Sequence, residues 1–389
     1  MRTVESASLG IDEIDYALHM RHALQLAENV MTTAPNPRVG CVVVAASGDN
    51  DVVGEGWHQR PGGEHAEIFA LSMAGERARG STVFISLEPC AHHGKTPPCT
   101  DALIQAEVGR VIIAALDPFP QVAGLGVERL EQAGIEVILL ADFEERARAI
   151  NAGYLKRLTR GLPFVRCKMA MSLDGRTAAA NGESKWISGA HSRADVQRLR
   201  AASCAIITGV GTVLQDDPAL TVRPAELNLS PRQRERDAFA LSRQPMRVIL
   251  DSHLRTPDNA RILQQPGQTR LFTLAGCNAS HLDPAKVITV DPARESSDRV
   301  DPRAVLELLA TKFTVNDVLL EAGPTLSGAF VQAGLVDELI LYVAAKLLGS
   351  QGRPLVELPS LLTMSDGIGL TLKRVDRLGD DCRIVAAFD

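Results

Sequence analysis

A pattern of potential metal ligands constrains this sequence more than any other feature. His65-Ala66-Glu67 precedes Pro89-Cys90, and Cys99 follows after eight intervening residues. One imidazole and two thiolates are suitable ligands for a tetrahedral zinc ion, and three protein ligands leave a fourth position for water. A fold that uses this pattern must bring three separate segments of the chain together.

The order His-x-Glu followed by Pro-Cys and a second Cys is typical of zinc deaminases, which hydrolyse an exocyclic amine on a pyrimidine or purine ring. In this interpretation zinc acidifies a water molecule, and Glu67 takes its proton and returns it to the leaving amino group. Those enzymes separate the two cysteines by two residues, so the longer loop here is a departure. His92 or His93 could compete for a coordination position, and a closed structural zinc site is the alternative.

The first part of the chain alternates between helical and strand-like patterns. Apolar residues at helical spacing predict an opening helix over 12–30, and two β-branched runs over 40–46 and 51–58 predict a hairpin. Further helices are predicted over 65–74 and 100–108, and further strands over 82–90, 109–118 and 135–142. This alternation predicts a layered α/β domain.

A second α/β pattern follows a charged helical segment over 142–160. The boundary is expected near Arg160, which gives domains of residues 1–160 and 161–389. Strands are predicted over 163–175, 204–209, 246–252, 269–275, 286–290 and 317–323, with helices over 192–202, 302–312 and 323–334. Residues 224–245 form one long polar insertion, and two β-like stretches end the chain.

The second half carries three weaker signals of its own. Residues 209–214, GVGTVL, resemble the start of a dinucleotide fingerprint, but Leu214 replaces the third glycine and a standard Rossmann site is not predicted. Gly323-Pro324-Thr325 lies between a strand and a helix, where it is either a phosphate site or a simple helix start. Arg200 and Arg223 flank the glycine segment and are either phosphate ligands or surface residues.

Composition narrows the class of partner. The net charge is −6 and aromatic residues make up 4% of the chain, which argues against a nucleic-acid deaminase, since such an enzyme needs basic and aromatic surface to hold a strand. Seven scattered cysteines suit a reducing cytoplasm rather than a disulfide framework. The first ten residues do not show the pattern of a signal peptide and no apolar run approaches membrane length, so neither a signal peptide nor a membrane partner is expected.

The first half closely resembles a known family. Residues 31–44, 54–71 and 86–104, including the eight-residue cysteine spacing, are similar to the N-terminal deaminase of the bifunctional RibD family of riboflavin biosynthesis. The resemblance implies a cytidine-deaminase-like α/β/α layered domain that hydrolyses the 2-amino group of 2,5-diamino-6-ribosylamino-4(3H)-pyrimidinone 5′-phosphate. It implies Zn²⁺ held by His65, Cys90 and Cys99, with Glu67 as the proton shuttle. Asn36 is implied as a base contact, although an Asn there is also a common turn residue.

The second half resembles the reductase of the same family. Residues 172–178, 182–189, 207–223 and 320–349 carry the likeness, which implies a dihydrofolate-reductase-like α/β fold and hydride transfer from NADPH to the ribose C1′. The implied cofactor contacts are Ala170, Trp186, Thr212, Asp216, Ser252, Gly323, Pro324, Thr325, Leu326, Ser327, Gly328 and Ala329. The implied substrate contacts are Ser184, Arg200 and Arg223 at the phosphate, Leu220 along the site and Glu321 near the ribose.

Two points stay open from the sequence. Lys168 and Asp216 are both polar groups expected near the sugar, and Lys168 is a candidate for moving a proton during reduction. A homo-oligomer is expected, but the apolar run over 337–349 suits either a core or an interface.

A zinc-stabilised binding module without catalysis is the non-enzymatic alternative.

Overall fold

The chain divides into two compact units in the computed structural model, which describes residues 1–6, 14–47, 50–93, 97–119, 122–184, 187–293 and 296–388. The first unit comprises Met1–Arg160 together with Pro231–Phe239, and the second comprises Gly161–Ser230 with Ala240–Asp389. Part of the polar insertion therefore packs with the first unit, although it lies within the second half of the sequence.

The first unit is built on a six-stranded sheet. In chain order its strands are β1 (Arg2–Val4), β2 (Gly40–Val44), β3 (Val52–Trp57), β4 (Thr82–Ile85), β5 (Arg110–Ile113) and β6 (Glu136–Leu140). Its helices before the second unit are α1 (Tyr16–Glu28), α2 (Ala66–Ala74), α3 (Cys99–Gln105), α4 (Leu125–Gln132), α5 (Glu144–Ile150) and α6 (Ala152–Arg160). The strand order is β1-β6-β5-β4-β2-β3, and β2 runs antiparallel to both of its neighbours.

Side-chain alternation on the strands creates a core on each face of this sheet. On β2, Val42 and Val44 pack with residues of α1 and α5, whereas Cys41 and Val43 pack with residues of α2, α3 and α4. A strand with both faces covered is apolar throughout, which is the pattern that the sequence shows here. The predicted α/β/α layering is confirmed.

The second unit contains a nine-stranded sheet of order β12-β11-β10-β9-β15-β7-β16-β19-β18. In chain order the remaining strands are β7 (Phe164–Ser172), β8 (Arg176–Ala178), β9 (Ala205–Gly209), β10 (Met246–Leu250), β11 (Thr269–Thr273), β12 (Val287–Thr289), β13 (Pro292–Ala293), β14 (Ser296–Val300), β15 (Asp317–Leu320), β16 (Glu338–Ala344), β17 (Arg353–Pro354), β18 (Leu370–Leu378) and β19 (Asp381–Phe388). The remaining helices are α7 (Ala190–Ala202), α8 (Val210–Asp216), α9 (Pro231–Arg236), α10 (Ala238–Ser242), α11 (Pro302–Thr311) and α12 (Pro324–Gln332).

The nine-stranded sheet is parallel except at one side, where β19 runs antiparallel to β16 and β18. Strand β7 lies near its centre: Cys167 and Met169 point into a core that α11 and α12 help to cover, and Lys168 and Ala170 face the other way. The predicted α/β class of this half is confirmed. None of the helices within the described ranges is long and apolar enough to cross a membrane.

Within residues 1–160, the sequence does not predict two short elements of the first unit. Strand β1 has three residues and gains its hydrogen bonds from parallel pairing with β6, which is distant in the sequence. Helix α4 has eight residues, of which Gly126, Val127 and Leu130 are buried. Both elements are too short for a reliable periodic signal, and long-range contacts stabilise them.

Candidate active sites

Two glycines of β3 allow helix α2 to lie directly against the sheet. A Cβ atom on Gly54 would fall 2.1 Å from the carbonyl oxygen of Ala70, and one on Gly56 would fall 2.4 Å from that of Ala66. Only glycine permits such an approach between backbones. His65 is the N-cap residue of α2, and Glu67 lies in its first turn, so these glycines fix the depth of both side chains.

His65, Cys90 and Cys99 form a cluster whose potential ligand atoms all lie within 4.8 Å of one another. The His65 Nδ1 atom is 3.1 Å from Cys99 Sγ and 3.6 Å from Cys90 Sγ. A tetrahedral zinc ion with ordinary Zn–N and Zn–S bonds separates such atoms by about 3.6 Å. The donor set and its spacing therefore fit a zinc ion.

Glu67 provides a buried carboxylate beside this cluster. Its side chain is 3% exposed, and its Oε2 atom has no hydrogen-bond partner among the described residues. Burial raises the pKa of the Glu67 carboxyl above its ordinary value. A buried polar atom without a partner is costly in a folded protein, so this oxygen is suited to a ligand or water at the cluster.

The geometry does not support a closed structural zinc site, which would need a fourth protein ligand. Within the described ranges, the cluster contains no His, Cys, Asp or Glu beyond the three residues named above. The ring of His92 packs against that of Phe119, with 5.7 Å between centroids. Three protein ligands leave a coordination position open, as a catalytic zinc site requires.

Glu88 fixes the segment that carries Cys90, and no sequence pattern singled it out. Its buried carboxylate accepts hydrogen bonds from four backbone N–H groups, which belong to Asp117, Gly124, Gly126 and Val127. Gly126 lies so close that a Cβ atom would fall 2.1 Å from the carbonyl oxygen of Pro89. The start of α4 is thus joined to Glu88-Pro89, directly before the cysteine.

Asn36 is connected to the cluster through His58, a second residue that the patterns did not mark. Asn36 Nδ2 lies 3.0 Å from His58 Nε2, and His58 Nδ1 lies 2.9 Å from the carbonyl oxygen of Glu64. Burial lowers the pKa of His58 to about 4, so the neutral ring donates through Nδ1 and accepts from Asn36. Its ring meets that of His65 edge-on at 5.2 Å. Asn36 is therefore held beside the cluster.

The second unit contains a cavity of about 790 Å³. The cavity opens at the carboxyl ends of the adjacent parallel strands β9 and β15, each of which is followed by a helix. Ligands of open α/β sheets usually bind at the carboxyl ends of the strands. The predicted site residues that line it are Lys168, Ala170, Ser184, Arg200, Thr212, Asp216, Leu220, Arg223, Glu321, Gly323, Pro324, Thr325 and Leu326. Both the cofactor set and the substrate set are thus represented in one cavity.

Several predicted cofactor residues do not line this cavity. Ser327, Gly328 and Ala329 lie within α12 and are absent from the cavity lining, and Ser327 and Gly328 are buried. The Ser252 hydroxyl accepts a hydrogen bond from the backbone N–H of Val300 at 3.1 Å and therefore supports β14. Trp186 lies outside the described residues.

Helices α8 and α12 begin at the same edge of the sheet, because they follow the neighbouring strands β9 and β15. Gly209 and Gly323 are their N-cap residues. A Cβ atom on Gly323 would lie 4.0 Å from the hydroxyl of Thr212 on α8. The first turns of the two helices, where backbone N–H groups have no acceptor within the helix and the dipole is positive, therefore border the cavity together, which favours the phosphates of a nucleotide.

Arg200 and Glu321 form a buried ion pair in the cavity wall. Arg200 Nε and Nη2 donate to the two carboxylate oxygens of Glu321 at 2.6 and 2.9 Å, and Nη1 donates to Thr221 O. Lys168 Nζ lies 3.9 Å from Glu321 Oε2. Burial alone would raise the pKa of Glu321, but the combined effect of Arg200, Lys168 and Arg223 lowers that pKa. Burial lowers the pKa of Lys168.

Further residues of the cavity had no role in the sequence predictions. Gln197 is buried on α7, and its Oε1 accepts from the backbone N–H of Arg223 at 2.9 Å. The Arg223 guanidinium itself pairs with Glu226 at the surface. Arg353 on β17 also lines the cavity. In the sequence, Gln197 and Arg353 look like ordinary polar surface residues, so no pattern could mark them as part of the cavity.

The first unit has the fold and donor set of a zinc deaminase, and the second has the architecture of a nucleotide-dependent reductase. Residues 14–115 match the cytidine and deoxycytidylate deaminase zinc-binding region, and residues 163–384 match the RibD C-terminal domain. The chain belongs to the RibD family and is a bifunctional deaminase and reductase of riboflavin biosynthesis. The zinc-binding match supports zinc in the first unit, and the reductase match implies a nicotinamide cofactor in the second.

Relatives match along nearly the whole chain. The riboflavin biosynthesis protein RibD of Escherichia coli K12 is 46% identical over 372 residues, which is 93% of this chain and 96% of that protein. The structure of Acinetobacter baumannii RibD is 42% identical, with a TM-score of 0.84 and coverage of 96% and 98%. A Thermotoga maritima diaminohydroxyphosphoribosylaminopyrimidine deaminase/5-amino-6-(5-phosphoribosylamino)uracil reductase is 30% identical, with a TM-score of 0.80 and coverage of 96% and 99%.

Proposed function

We propose that the first unit hydrolyses the 2-amino group of 2,5-diamino-6-ribosylamino-4(3H)-pyrimidinone 5′-phosphate. The observation that carries this proposal is the cluster of His65, Cys90 and Cys99 beside the unpartnered Oε2 atom of Glu67. A zinc ion bound by the three ligands supplies Lewis acidity that lowers the pKa of water. Glu67 takes the proton of the attacking water and delivers it to the leaving amino group. Asn36, oriented by His58, binds the pyrimidine edge.

The substitution Glu67→Gln tests the deamination step, because it keeps the shape of the side chain and removes its capacity to shuttle a proton. Ammonia release should fall by about 100-fold or more. Zinc content and NADPH oxidation on the deaminated substrate should stay at the wild-type level in Glu67→Gln. The control Glu76→Gln, which changes an exposed carboxylate, should keep both activities. Wild-type ammonia release by Glu67→Gln would disprove the role of Glu67.

For the second unit, we propose hydride transfer from NADPH to the ribose C1′ of the deaminated product. The C1′–O bond of the sugar ring breaks, the ring oxygen takes a proton, and a ribityl chain results. Lys168 supplies that proton, because it lies in the cavity wall and its pKa is lowered by burial. The starts of α8 and α12 bind the cofactor phosphates.

The substrate phosphate is assigned to Ser184, Arg223 and Arg200. Arg223 makes a surface ion pair with Glu226, and such pairs contribute little stability, so its guanidinium is available to a phosphate. Arg200 is held in place by Glu321 and keeps N–H groups beyond those bonds. Glu321, which pairs with Arg200, is assigned to the ribose.

The substitution Arg223→Ala tests the phosphate assignment. The KM of reduction for the phosphorylated substrate should rise about ten-fold, since a hydrogen bond to a charged group is lost. The KM for NADPH should stay constant, and Arg303→Ala on an exposed part of α11 serves as the control. An equal change in the KM values for both ligands would contradict the assignment.

We also infer NADPH rather than NADH, a homo-oligomer and a cytoplasmic location. None of the seven cysteines, all of which lie within the described residues, forms a disulfide, which suits a reducing compartment. Exposed apolar side chains on the edge strand β18, Leu370, Leu372 and Val375, support self-association. The apolar run over 337–349 forms the buried strand β16 in large part and so serves the core. Initial rates with each nucleotide and sedimentation of the purified chain test the first two inferences.

A further inference from the structure

A short segment from the second half of the sequence packs within the deaminase unit. Pro231–Phe239 belongs to the first unit, whereas the residues on either side of it in the chain belong to the second. The segment contains α9 and continues into Asp237. Neither the polar composition of this insertion nor its position in the chain indicates a role in deamination.

Asp237 is the buried residue of this segment. It is 2% exposed, and its Oδ1 atom accepts a hydrogen bond from the backbone N–H of Met31 at 2.8 Å. Its Oδ2 atom pairs with Arg236 Nη2 at 3.1 Å. A hydrogen bond to an ionised acceptor is stronger than a neutral one, and a buried carboxylate is costly unless it is paired. The carboxylate is therefore a firm attachment point for the backbone at Met31.

Met31 opens the loop that carries Asn36. The loop is closed internally by bonds between Thr33 and Asn36, and its far end is held by Asn151, whose side chain bonds to the backbone N–H and C=O of Arg38. Asn36 then contacts His58, which lies against His65. Asp237 and Asn151 thus hold the two ends of the segment that presents Asn36 to the metal cluster.

We propose that Asp237 is a positioning residue for deamination. Its carboxylate holds the N-terminal end of the Met31–Arg38 loop and thereby sets the position of Asn36 relative to the cluster. The inference rests on the proposed role of Asn36 in binding the pyrimidine. It assigns to the insertion within the reductase sequence a contribution to the other reaction.

The experiment compares three variants of the full-length, zinc-loaded enzyme. Asp237→Ala removes the acceptor, Asp237→Asn keeps an oxygen for the Met31 N–H, and Glu235→Gln changes an exposed carboxylate of the same segment. We expect Asp237→Ala to raise the KM of deamination about ten-fold with a smaller change in kcat. Asp237→Asn should restore most of that KM, and Glu235→Gln should leave it unchanged.

The reductase reaction on the deaminated substrate provides an internal control, because its kinetic constants should be the same in all three variants. A deamination KM that is unchanged in Asp237→Ala would overturn the proposal. Equal impairment by Asp237→Ala and Asp237→Asn would also overturn it, as would a parallel loss of both activities with a lowered Tm, since these results indicate a role in stability alone.

Asn36→Ala separates this proposal from the proposed function. If Asp237 acts through Asn36, adding Asp237→Ala to Asn36→Ala should raise the deamination KM no further. If Asn36→Ala itself has no effect on deamination, the role of Asn36 fails, and the present inference fails with it. If Asn36→Ala raises the KM and Asp237→Ala does not, only the role of Asp237 fails.

Discussion

Glu321 shows how one buried residue organises the reductase cavity. Its two carboxylate oxygens occupy the fork of Arg200, and Lys168 lies on its other side. The bidentate arrangement is geometrically specific, so it fixes the Arg200 side chain within the cavity wall. The family resemblance implies separate substrate contacts for Arg200 and Glu321, and the structure shows that the two side chains form a pair.

Loss of the Glu321 charge should destabilise the protein. Glu321→Gln leaves the buried Arg200 cation without its counter-ion, and breaking such a pair costs about 3 kcal/mol or more. Urea unfolding at neutral pH measures the change, with Glu307→Gln on the exposed side of α11 as the control. Equal stability of Glu321→Gln and the wild type would contradict this account.

The same pair predicts a dependence of stability on pH. The pKa of Glu321 is lowered in the folded protein, so its contribution is complete above the unfolded value of about 4.3 and is lost as the pH falls from there through the folded pKa. The stability difference between Glu321→Gln and the wild type should therefore shrink as unfolding is measured at successively lower pH below about 4. A constant difference would show that the charge of Glu321 is not responsible.

The contact between α2 and β3 determines the deaminase site at the scale of elements. A Cβ atom on residue 56 would fall 2.4 Å from Ala66 O and 2.6 Å from Phe69 Cβ, so Gly56→Ala must move the start of α2. Overpacking of this kind costs about 1–3 kcal/mol. Because His65 and Glu67 move with the helix, zinc content after dialysis and ammonia release should both fall. Reduction of the deaminated substrate should persist, and normal zinc retention would contradict the prediction.

Helix α7 depends on residues near both of its ends. The Asp381 carboxylate accepts from the backbone N–H of Gly189 at 2.7 Å and from the Ser192 hydroxyl at the start of the helix. Arg243 donates to the carbonyl oxygens of Ala201 and Ser203 at its end. Between these points α7 presents side chains to the cavity, including Arg200.

Removal of the Asp381 carboxylate should weaken the reductase site. Asp381→Ala should lower the free energy of unfolding by about 1–3 kcal/mol, because the Gly189 N–H and the buried Ser192 hydroxyl lose their acceptor, and it should raise the KM for the reductase substrate. Asp381→Asn retains an acceptor and should lie between this variant and the wild type. The deaminase kinetics serve as the control, and a KM for reduction that is insensitive to both substitutions would argue against Asp381 as a support for the cavity.

Element prediction succeeded where periodicity was long and local. Helix α2 was predicted over 65–74 and begins at Ala66, because His65 is its cap. The sequence does not predict α8: GVGTVL resembles the start of a dinucleotide fingerprint, whereas the chain after Gly209 forms a seven-residue helix. Gly209, the first glycine of that incomplete fingerprint, is the N-cap residue of this helix.

At the scale of the whole molecule, the deaminase and reductase centres are built from different sets of elements. The metal cluster lies entirely in the first unit, and the lining of the 790 Å³ cavity lies entirely in the second. The cluster and the cavity lining therefore share no residue, and we expect removal of zinc to affect deamination alone.

Chelation tests this separation. Treatment with a zinc chelator should abolish ammonia release, while NADPH oxidation on the deaminated substrate should continue at close to its original rate. Added Zn²⁺ should restore deamination. Simultaneous loss of both activities, with the fold retained by circular dichroism, would show that the two sites are not independent.

By itself the sequence determined the fold class, the likeness to the RibD family and the three candidate zinc ligands that the structure brings together, because apolar periodicity and motif spacing are local properties. Only the tertiary structure decided the partners of those residues. It alone shows the hydrogen bonds between Asn36 and His58, between Glu88 and four backbone N–H groups, between Arg200 and Glu321, and between the Met31 N–H and Asp237. These contacts join residues that are distant in the chain, and a buried polar group gains its partner only when separate elements pack around it.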